Sequence, residues 1–564
     1  LAGRVWLEHV PETRIDESAV EVVCTRGPKG AEIVELRCAV SGVEQPATDL
    51  RLNWTIMNLR GEQVAAAGPT PVENAQVTIS TMIMDPECWS PDNPRLLWAE
   101  CRLENHDSVV DTVRLRFGIT RAEFRPDEGF FLDRQRIDLH GCNRHESIPG
   151  LGNALSPELH RADARILRDY GCNIVRLAHY PQSPSFLDAC DELGILVYAE
   201  IATWKSVSSS RHWRRAARRQ MRHLLLRDRH HPSVILWGMG NESRSRKAYL
   251  ELRDIARELD PKRPVTYAEN HLYRARREKT VGIPDVWGLN YELDKLEEAR
   301  DACSLRNVVV AECCNNPNSV RGDDSAELTQ VATLEYEWKL MADRPYVAGH
   351  AVWSFTDYAT EYRRRFRRQA GLFDAWRRPK MAAELFRARY AKEAFVSLFL
   401  TGDSEEGELH VFSNCDRIRV RVDGKPTVEF GRENHHVVSL DGPFSVVRAE
   451  GIRGGVTVHE ELRSWGDGKT IVVSVGDARP GETVPVDLEI HDASGILVRD
   501  WNGHLTTSIE GDGRLFAYTE KGEVLMSRGE GRSYVHVGRS GDPFVIYASA
   551  DGFEPGSLTV SPRR

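Results

Sequence analysis

Short apolar runs broken by Gly, Pro and Asp clusters fill the first fifth of the chain. Glu21-Val22-Val23, Ile33-Val34-Glu35-Leu36, Leu50-Arg51-Leu52-Asn53-Trp54 and Thr112-Val113-Arg114-Leu115 are examples. Strand-length runs at this spacing predict an immunoglobulin-like β-sandwich over residues 1–119. Near Arg121 the pattern changes. Eight apolar runs now alternate with helical periodicities: 137–141, 173–177, 195–198, 234–237, 264–267, 286–289, 308–311 and 349–353. Ser156-Pro157 supplies an N-cap and a first-turn proline for a helix whose apolar stripe is Leu159, Ala162, Ile166, Leu167 and Tyr170, closed by Gly171. Ser183-Pro184 and Gly194 repeat the device around Phe186, Leu187 and Cys190. Eight buried strands alternating with helices predict a (β/α)8 TIM barrel over 120–393. Strand texture returns after residue 394, and Gly466-Asp467-Gly468 divides it into a β-sandwich at 394–466 and an immunoglobulin-like one at 467–564. The predicted fold is a multidomain α/β plus all-β chain, a barrel flanked by β-sandwiches.

The length of 564 residues suits three to five domains, and 41% apolar with 28% charged residues is the profile of a globular protein. A net charge of −9 disfavours nucleic-acid binding, and no apolar stretch is long enough to predict a membrane-spanning helix. The basic group Arg211, Arg214, Arg215, Arg218, Arg219 and Arg222 falls at helical spacing and reads as a solvated helix face. Eleven cysteines without C-x-x-C spacing indicate reduced thiols rather than a disulfide framework or a zinc site.

In a barrel of this kind the chemistry sits where strands end. The fourth run ends in Trp237-Gly238-Met239-Gly240-Asn241-Glu242 and the seventh in Ala311-Glu312-Cys313-Cys314. Two carboxylates facing each other across such a mouth are what glycoside hydrolysis requires, one protonating the leaving oxygen and the other attacking the anomeric carbon or activating water.

The chain resembles glycoside hydrolase family 2, the family of β-galactosidases, β-glucuronidases and β-mannosidases. The motifs that carry the resemblance run through the barrel in order: Gly141-Cys142-Asn143-Arg144-His145-Glu146, Asn173-Ile174-Val175-Arg176-Leu177-Ala178-His179-Tyr180-Pro181, Cys190-Asp191-Glu192-Leu193-Gly194, Asp228 through Glu242, Leu259 through Thr266, Ala311-Glu312, Trp353-Ser354-Phe355-Thr356-Asp357 and Gly371-Leu372-Phe373-Asp374. The resemblance implies that Glu242 is the general acid/base and Glu312 the nucleophile of a retaining double displacement. It also implies that Arg176 pairs with Glu312, that His145, His179 and Asn241 hold sugar hydroxyls, that Trp353 offers a flat face to the pyranose, and that Tyr291 hydrogen-bonds the nucleophile.

Two departures bear on the substrate. Magnesium-dependent family members carry a Glu and a His just past the third strand, where this chain reads Thr203-Trp204-Lys205-Ser206, so no metal and no cofactor is expected. The Asn-x-Lys with which β-glucuronidases grip the sugar carboxylate is missing before Gly371. A basic run, Arg363 to Arg368, stands there instead, and through Arg364 it offers either an acidic-sugar contact or a solvated loop. The expected function is a retaining exo-β-glycosidase, β-galactosidase-like, acting on an oligosaccharide or glycoside, with a β-glucuronidase-like activity as the alternative. The non-enzymatic alternative is a carbohydrate-binding scaffold. Nucleic-acid and membrane partners are not expected, a homo-oligomer is compatible, and a cytoplasmic location is expected, with a periplasmic or secreted one as the alternative. Gly3 through Glu8 resembles the seam that follows the family's N-terminal jelly-roll domain, so that domain is expected to be missing from this chain.

Overall fold

The protein is described from a computed structural model, which covers residues 7–42, 49–106, 108–205, 210–360, 367–402, 406–423, 425–441, 444–499 and 501–563. Most of the Gly3–Glu8 stretch and all of Arg363–Arg365 lie outside these residues.

Eight parallel strands close into a barrel: β1 (Leu139–Arg144), β2 (Ile174–Leu177), β3 (Leu196–Glu200), β4 (Val234–Asn241), β5 (Val265–Glu269), β6 (Trp287–Asn290), β7 (Val308–Cys313) and β8 (Val347–Val352). Each is followed by a helix: α1 (Pro157–Asp169), α2 (Pro184–Leu193), α3 (Arg211–Asp228), α4 (Arg246–Leu259), α5 (Leu272–Arg277), α6 (Leu296–Arg300), α7 (Asp324–Met341) and α8 (Met381–Tyr390). The barrel predicted from the alternating runs is therefore present, with one systematic difference. Six strands, β1, β3, β4, β5, β6 and β7, extend past their apolar runs into polar residues at their C-terminal ends.

Local signals act as expected in part. Pro157 and Pro184 open α1 and α2, but neither Ser156 nor Ser183 makes a side-chain cap hydrogen bond, so proline's preset φ marks these starts. Gly194 ends α2 at φ 71°, a left-handed conformation that glycine adopts without steric cost. Gly238 meets a different need. A Cβ there would lie 2.2 Å from Glu200 Cβ, so its bare backbone lets β4 close against β3 at the level of Glu200.

Two antiparallel sheets, of three and four strands between Arg14 and Phe117, enclose a core around Trp54, Leu36 and Ile56 ahead of the barrel. A short sheet not foreseen from the sequence, built from Ala122–Arg125, Gly129–Leu132 and Gln135–Arg136, then plugs the barrel floor. Phe124, Phe130 and Leu132 pack there against Leu139, Ile174, Leu196, Leu236 and Val309. Past α8, two more pairs of antiparallel sheets follow, over 396–464 and 470–560. All 11 cysteines are free.

Glu530 ties the last of these sheets to the barrel. Its Oε2 accepts from Arg321 Nη2 at 2.7 Å and Arg499 Nη1 at 2.9 Å. Burial alone would raise its pKa, but Arg499, Arg321, Arg463 and Arg378 outweigh burial and hold it down to about 2. A depressed carboxylate stabilises the folded state above its unfolded pKa and loses that contribution as pH falls through the folded value. Glu530→Gln is therefore expected to lower the melting temperature at pH 7, and the difference from the parent should shrink between pH 4.5 and 2. Thermal melts of both proteins at pH 7 and pH 3 check this.

Candidate active site

The polar strand ends converge on one buried charge cluster. Arg176, which is 1% exposed on β2, is its hub. Its Nη1 donates to Glu312 Oε1 at 2.8 Å and Asn143 Oδ1 at 3.0 Å, and its Nη2 donates to Glu200 Oε2 at 3.0 Å and Asn241 Oδ1 at 2.9 Å. Glu200, at the end of β3, also accepts from Arg176 Nε. Burial would raise the Glu200 pKa, but Arg176 and His179 prevail and hold it below the usual carboxylate range. The guanidinium therefore has an ionised partner besides Glu312.

Glu312 is almost fully buried at the end of β7, where the backbone N–H of Tyr291 donates to its carbonyl at 2.9 Å. Its Oε2 accepts a short hydrogen bond from Tyr291 Oη. Burial, and after it the Glu312 charge, raises the Tyr291 phenol well above its ordinary pKa, so the phenol stays protonated and donates. Both carboxylate oxygens of Glu312 thus receive donors.

Glu242 follows β4 and is also buried. Asn290, the residue paired with Glu312 across β6 and β7, donates through Nδ2 to Glu242 Oε1 at 3.3 Å and to Asn241 Oδ1 at 3.0 Å. One asparagine side chain therefore spans from the β7 carboxylate's neighbour to the β4 carboxylate. Lys205 Nζ stands 3.3 Å from the other oxygen, Glu242 Oε2.

Backbone strain concentrates at these strand ends. Lys205, Glu242, Arg244, Tyr291 and Cys314 all take left-handed φ, between 49° and 65°. Non-glycine residues held in that region are costly and cluster where the surrounding structure aims side chains into a site.

An aromatic wall borders the cluster. His179 donates through Nδ1 to Glu200 Oε1 at 2.8 Å and stacks on Trp353, with centroids 5.1 Å apart and planes 12° apart. His145 meets the Trp353 edge at 5.4 Å and Tyr358 at 4.3 Å. Burial, then His179 and the charges of Arg176 and Arg144, pushes His145 down to about 3, so it is neutral at physiological pH.

Of the residues singled out in the sequence, Glu242, Glu312, Arg176, His179, Asn241 and Tyr291 share one hydrogen-bond network, and His145 and Trp353 border it. Trp353 is only 5% exposed with one face against His179, so the flat apolar surface it offers is smaller than expected. Arg364 lies outside the described residues. Its neighbours Arg367 and Arg368 are engaged locally, by Tyr518 Oη and by Asn315 Oδ1 at 2.7 Å respectively.

Sequence reasoning missed Glu200, Asn290, Asn143 and Lys205. Glu200 and Asn290 each end or directly follow an apolar run, the same signal that identified Glu242. Asn143 donates to three strand-end carbonyls, those of Ala311, Ala351 and Val352, and only barrel closure assembles them.

The turn after β3 turns an ammonium toward Glu242, which does not suit magnesium, a cation that takes oxygen ligands. Asp188, Asp191 and His231 bring potential ligand atoms within 4.8 Å of one another at the opposite end of the barrel. Arg116, however, pairs with Asp188, while His231 and the Ser233 N–H occupy both Asp191 oxygens, so these residues satisfy one another.

A barrel whose mouth holds one carboxylate clamped by a guanidinium and a phenol, and a second across from it in an amide and ammonium setting, defines the class of acetal-cleaving barrel enzymes. Comparison with known proteins specifies it further. Residues 125–307 match the profile of the glycosyl hydrolases family 2 TIM barrel domain, and residues 23–119 match a second glycosyl hydrolases family 2 profile. The chain belongs to glycoside hydrolase family 2 and is a glycoside hydrolase of the β-glycosidase type. It is 27% identical to a β-galactosidase of Thermoanaerobacter pseudethanolicus, over 97% of this chain and 77% of that protein. It is 30% identical to a β-galactosidase of Thermoanaerobacterium thermosulfurigenes, over 62% of this chain and 51% of the relative. It is 28% identical to a β-glucuronidase of Bacteroides fragilis, over 50% of this chain and 45% of the relative. The chain thus spans from about half to three quarters of these relatives' lengths. In fold it is similar to a β-glycosidase from Bacteroides vulgatus, with a TM-score of 0.83 at 18% identity, covering 98% of this chain and 80% of that one.

Proposed function

We propose that the protein is a retaining exo-β-glycosidase with β-galactosidase-like specificity, in which Glu312 is the nucleophile and Glu242 the general acid/base. The observation that carries this reading is the asymmetry of the two carboxylates. Glu312 accepts from Arg176 and Tyr291 on both oxygens, which holds the carboxylate in place to attack the anomeric carbon. Glu242 receives one weak amide contact on Oε1, and Oε2, 3.3 Å from the Lys205 ammonium, is the oxygen assigned to deliver the proton.

In the first step Glu312 displaces the leaving oxygen as Glu242 protonates it, giving a β-glycoside-derived α-glycosyl ester on Glu312. In the second, ionised Glu242 takes a proton from water, which attacks the same carbon and restores the β configuration. Asn241 accepts two hydrogen bonds at Oδ1, so its Nδ2 is the end suited to donate to a sugar hydroxyl next to the reacting carbon. His145, His179 and Trp353 border the space for the terminal ring, and Arg176 and Tyr291 position the nucleophile.

The galactoside preference is supported by the two β-galactosidase relatives and by the missing Asn-x-Lys. The β-glucuronidase relative and the Arg363–Arg368 run keep glucuronides as the second reading. A panel of nitrophenyl β-glycosides is expected to show hydrolysis of the galactoside at a kcat/KM at least about tenfold above the glucuronide, one extra contact's worth of discrimination. Proton NMR of the fresh product should show the β-anomer first. Initial appearance of the α-anomer overturns the double displacement, and absence of any released sugar overturns the enzymatic reading.

A further inference from the structure

Two side chains at the barrel mouth have no part in the chemistry just described. Trp204 and Lys205 follow β3 and are laced to the end of β4: Trp204 pairs with Asn241 in a parallel bridge, and the Lys205 N–H donates to the Asn241 carbonyl at 3.3 Å. This fixes both residues relative to Glu242. Trp204 is 42% exposed, whereas the barrel tryptophans Trp237 and Trp287 are fully buried. The Lys205 ammonium lies 4.8 Å from the Trp204 ring centroid and 3.3 Å from Glu242 Oε2. That oxygen is buried and makes no aligned hydrogen bond, while Oε1 is taken by Asn290. Oε2 is therefore the oxygen that reaches the scissile bond, and the groups beside it are the first that a leaving group meets.

We propose that Trp204 and Lys205 form the leaving-group subsite and that it takes an anionic pyranose, its ring on the Trp204 face and its acidic substituent on the Lys205 ammonium. The inference rests on the assignment of Glu242 as acid/base. An exposed indole supplies a broad apolar surface with a polar edge, suited to a sugar's C–H face. A lysine adds a point charge on a flexible stem that can leave one carboxylate for another. The ammonium that stands 3.3 Å from Glu242 Oε2 is within reach of an acidic substituent on the departing sugar.

The test uses two disaccharides that share the terminal β-linked sugar identified by the glycoside panel and differ only in the reducing-end unit, glucose in one and glucuronic acid in the other. The ratio of their kcat/KM values cancels any common effect on Glu242. The parent enzyme is expected to favour the acidic leaving group about tenfold, the size of one charge-assisted contact. Lys205→Met should bring the ratio close to one, Lys205→Arg should keep most of it, and Trp204→Ala should lower kcat/KM for both disaccharides together. A ratio near one in the parent, or a ratio unchanged by Lys205→Met, overturns the subsite. Azide rescue of Glu242→Ala on a dinitrophenyl glycoside separates the two claims. Rescue with an unchanged ratio removes the subsite alone, and absence of rescue removes the acid/base assignment beneath it.

Discussion

Glu312→Ala is expected to lower kcat/KM on the preferred nitrophenyl glycoside by about 10⁴-fold or more, because the carboxylate assigned to form the glycosyl ester is removed. The variant should still fold. Arg176 keeps its paired contacts to Glu200 when Glu312 is removed, so the deletion does not leave a buried guanidinium without a counter-ion. The product formed with an added small anion distinguishes a nucleophile from a merely structural carboxylate. With azide in the vacated space and Glu242 still able to protonate the leaving group, one inversion should give the α-glycosyl azide. Residual activity within about tenfold of the parent would sink the assignment, since so small a loss is what a single displaced contact produces. Circular dichroism of the variant guards against a folding artefact.

The second large effect belongs to Glu242→Ala and depends on the leaving group. On a disaccharide or alkyl glycoside, whose leaving oxygen needs a proton, kcat/KM should fall by about 10²–10⁴-fold, the usual contribution of a general acid. On a dinitrophenyl glycoside, whose phenolate departs unaided, kcat/KM should change by less than about tenfold. Hydrolysis of the intermediate then becomes slow because water has lost its base, and azide should accelerate turnover by giving the β-glycosyl azide. The two variants thus yield opposite anomers, because azide takes the place of the nucleophile in one and of water in the other. A loss of equal size on both kinds of substrate would contradict the acid/base role.

The limits of the sequence reading lie in the strand ends. Apolar runs located all eight barrel strands, because a parallel strand covered on both faces must be apolar along most of its length. The same rule cuts strands short where function begins. β3 runs on from Tyr198 to Glu200, β4 from Trp237 to Asn241 and β7 from Ala311 to Cys313. These polar ends are buried because they satisfy one another, and that cannot be seen in a one-dimensional pattern. Glu242 and Glu312 were legible because carboxylates directly after apolar runs are conspicuous and because a family resemblance gave them roles. Glu200 stood in the same position after its run, but its significance depends on Arg176, and nothing local to either residue announces the pair.

By itself the sequence determined the alternation of barrel strands and helices, the sandwiches around the barrel and the two glutamates at its mouth, because periodicity, proline and glycine placement and strand-end position are local properties. Tertiary structure alone decided which charges meet. Closing the barrel brings Arg176 against Glu312, 136 residues away, and Asn290 against Glu242, 48 residues away. It also sets Lys205 beside the one oxygen of Glu242 that carries no hydrogen bond. The physical reason is that burial makes each of these polar groups depend on a partner, and strand register, rather than separation along the chain, selects that partner.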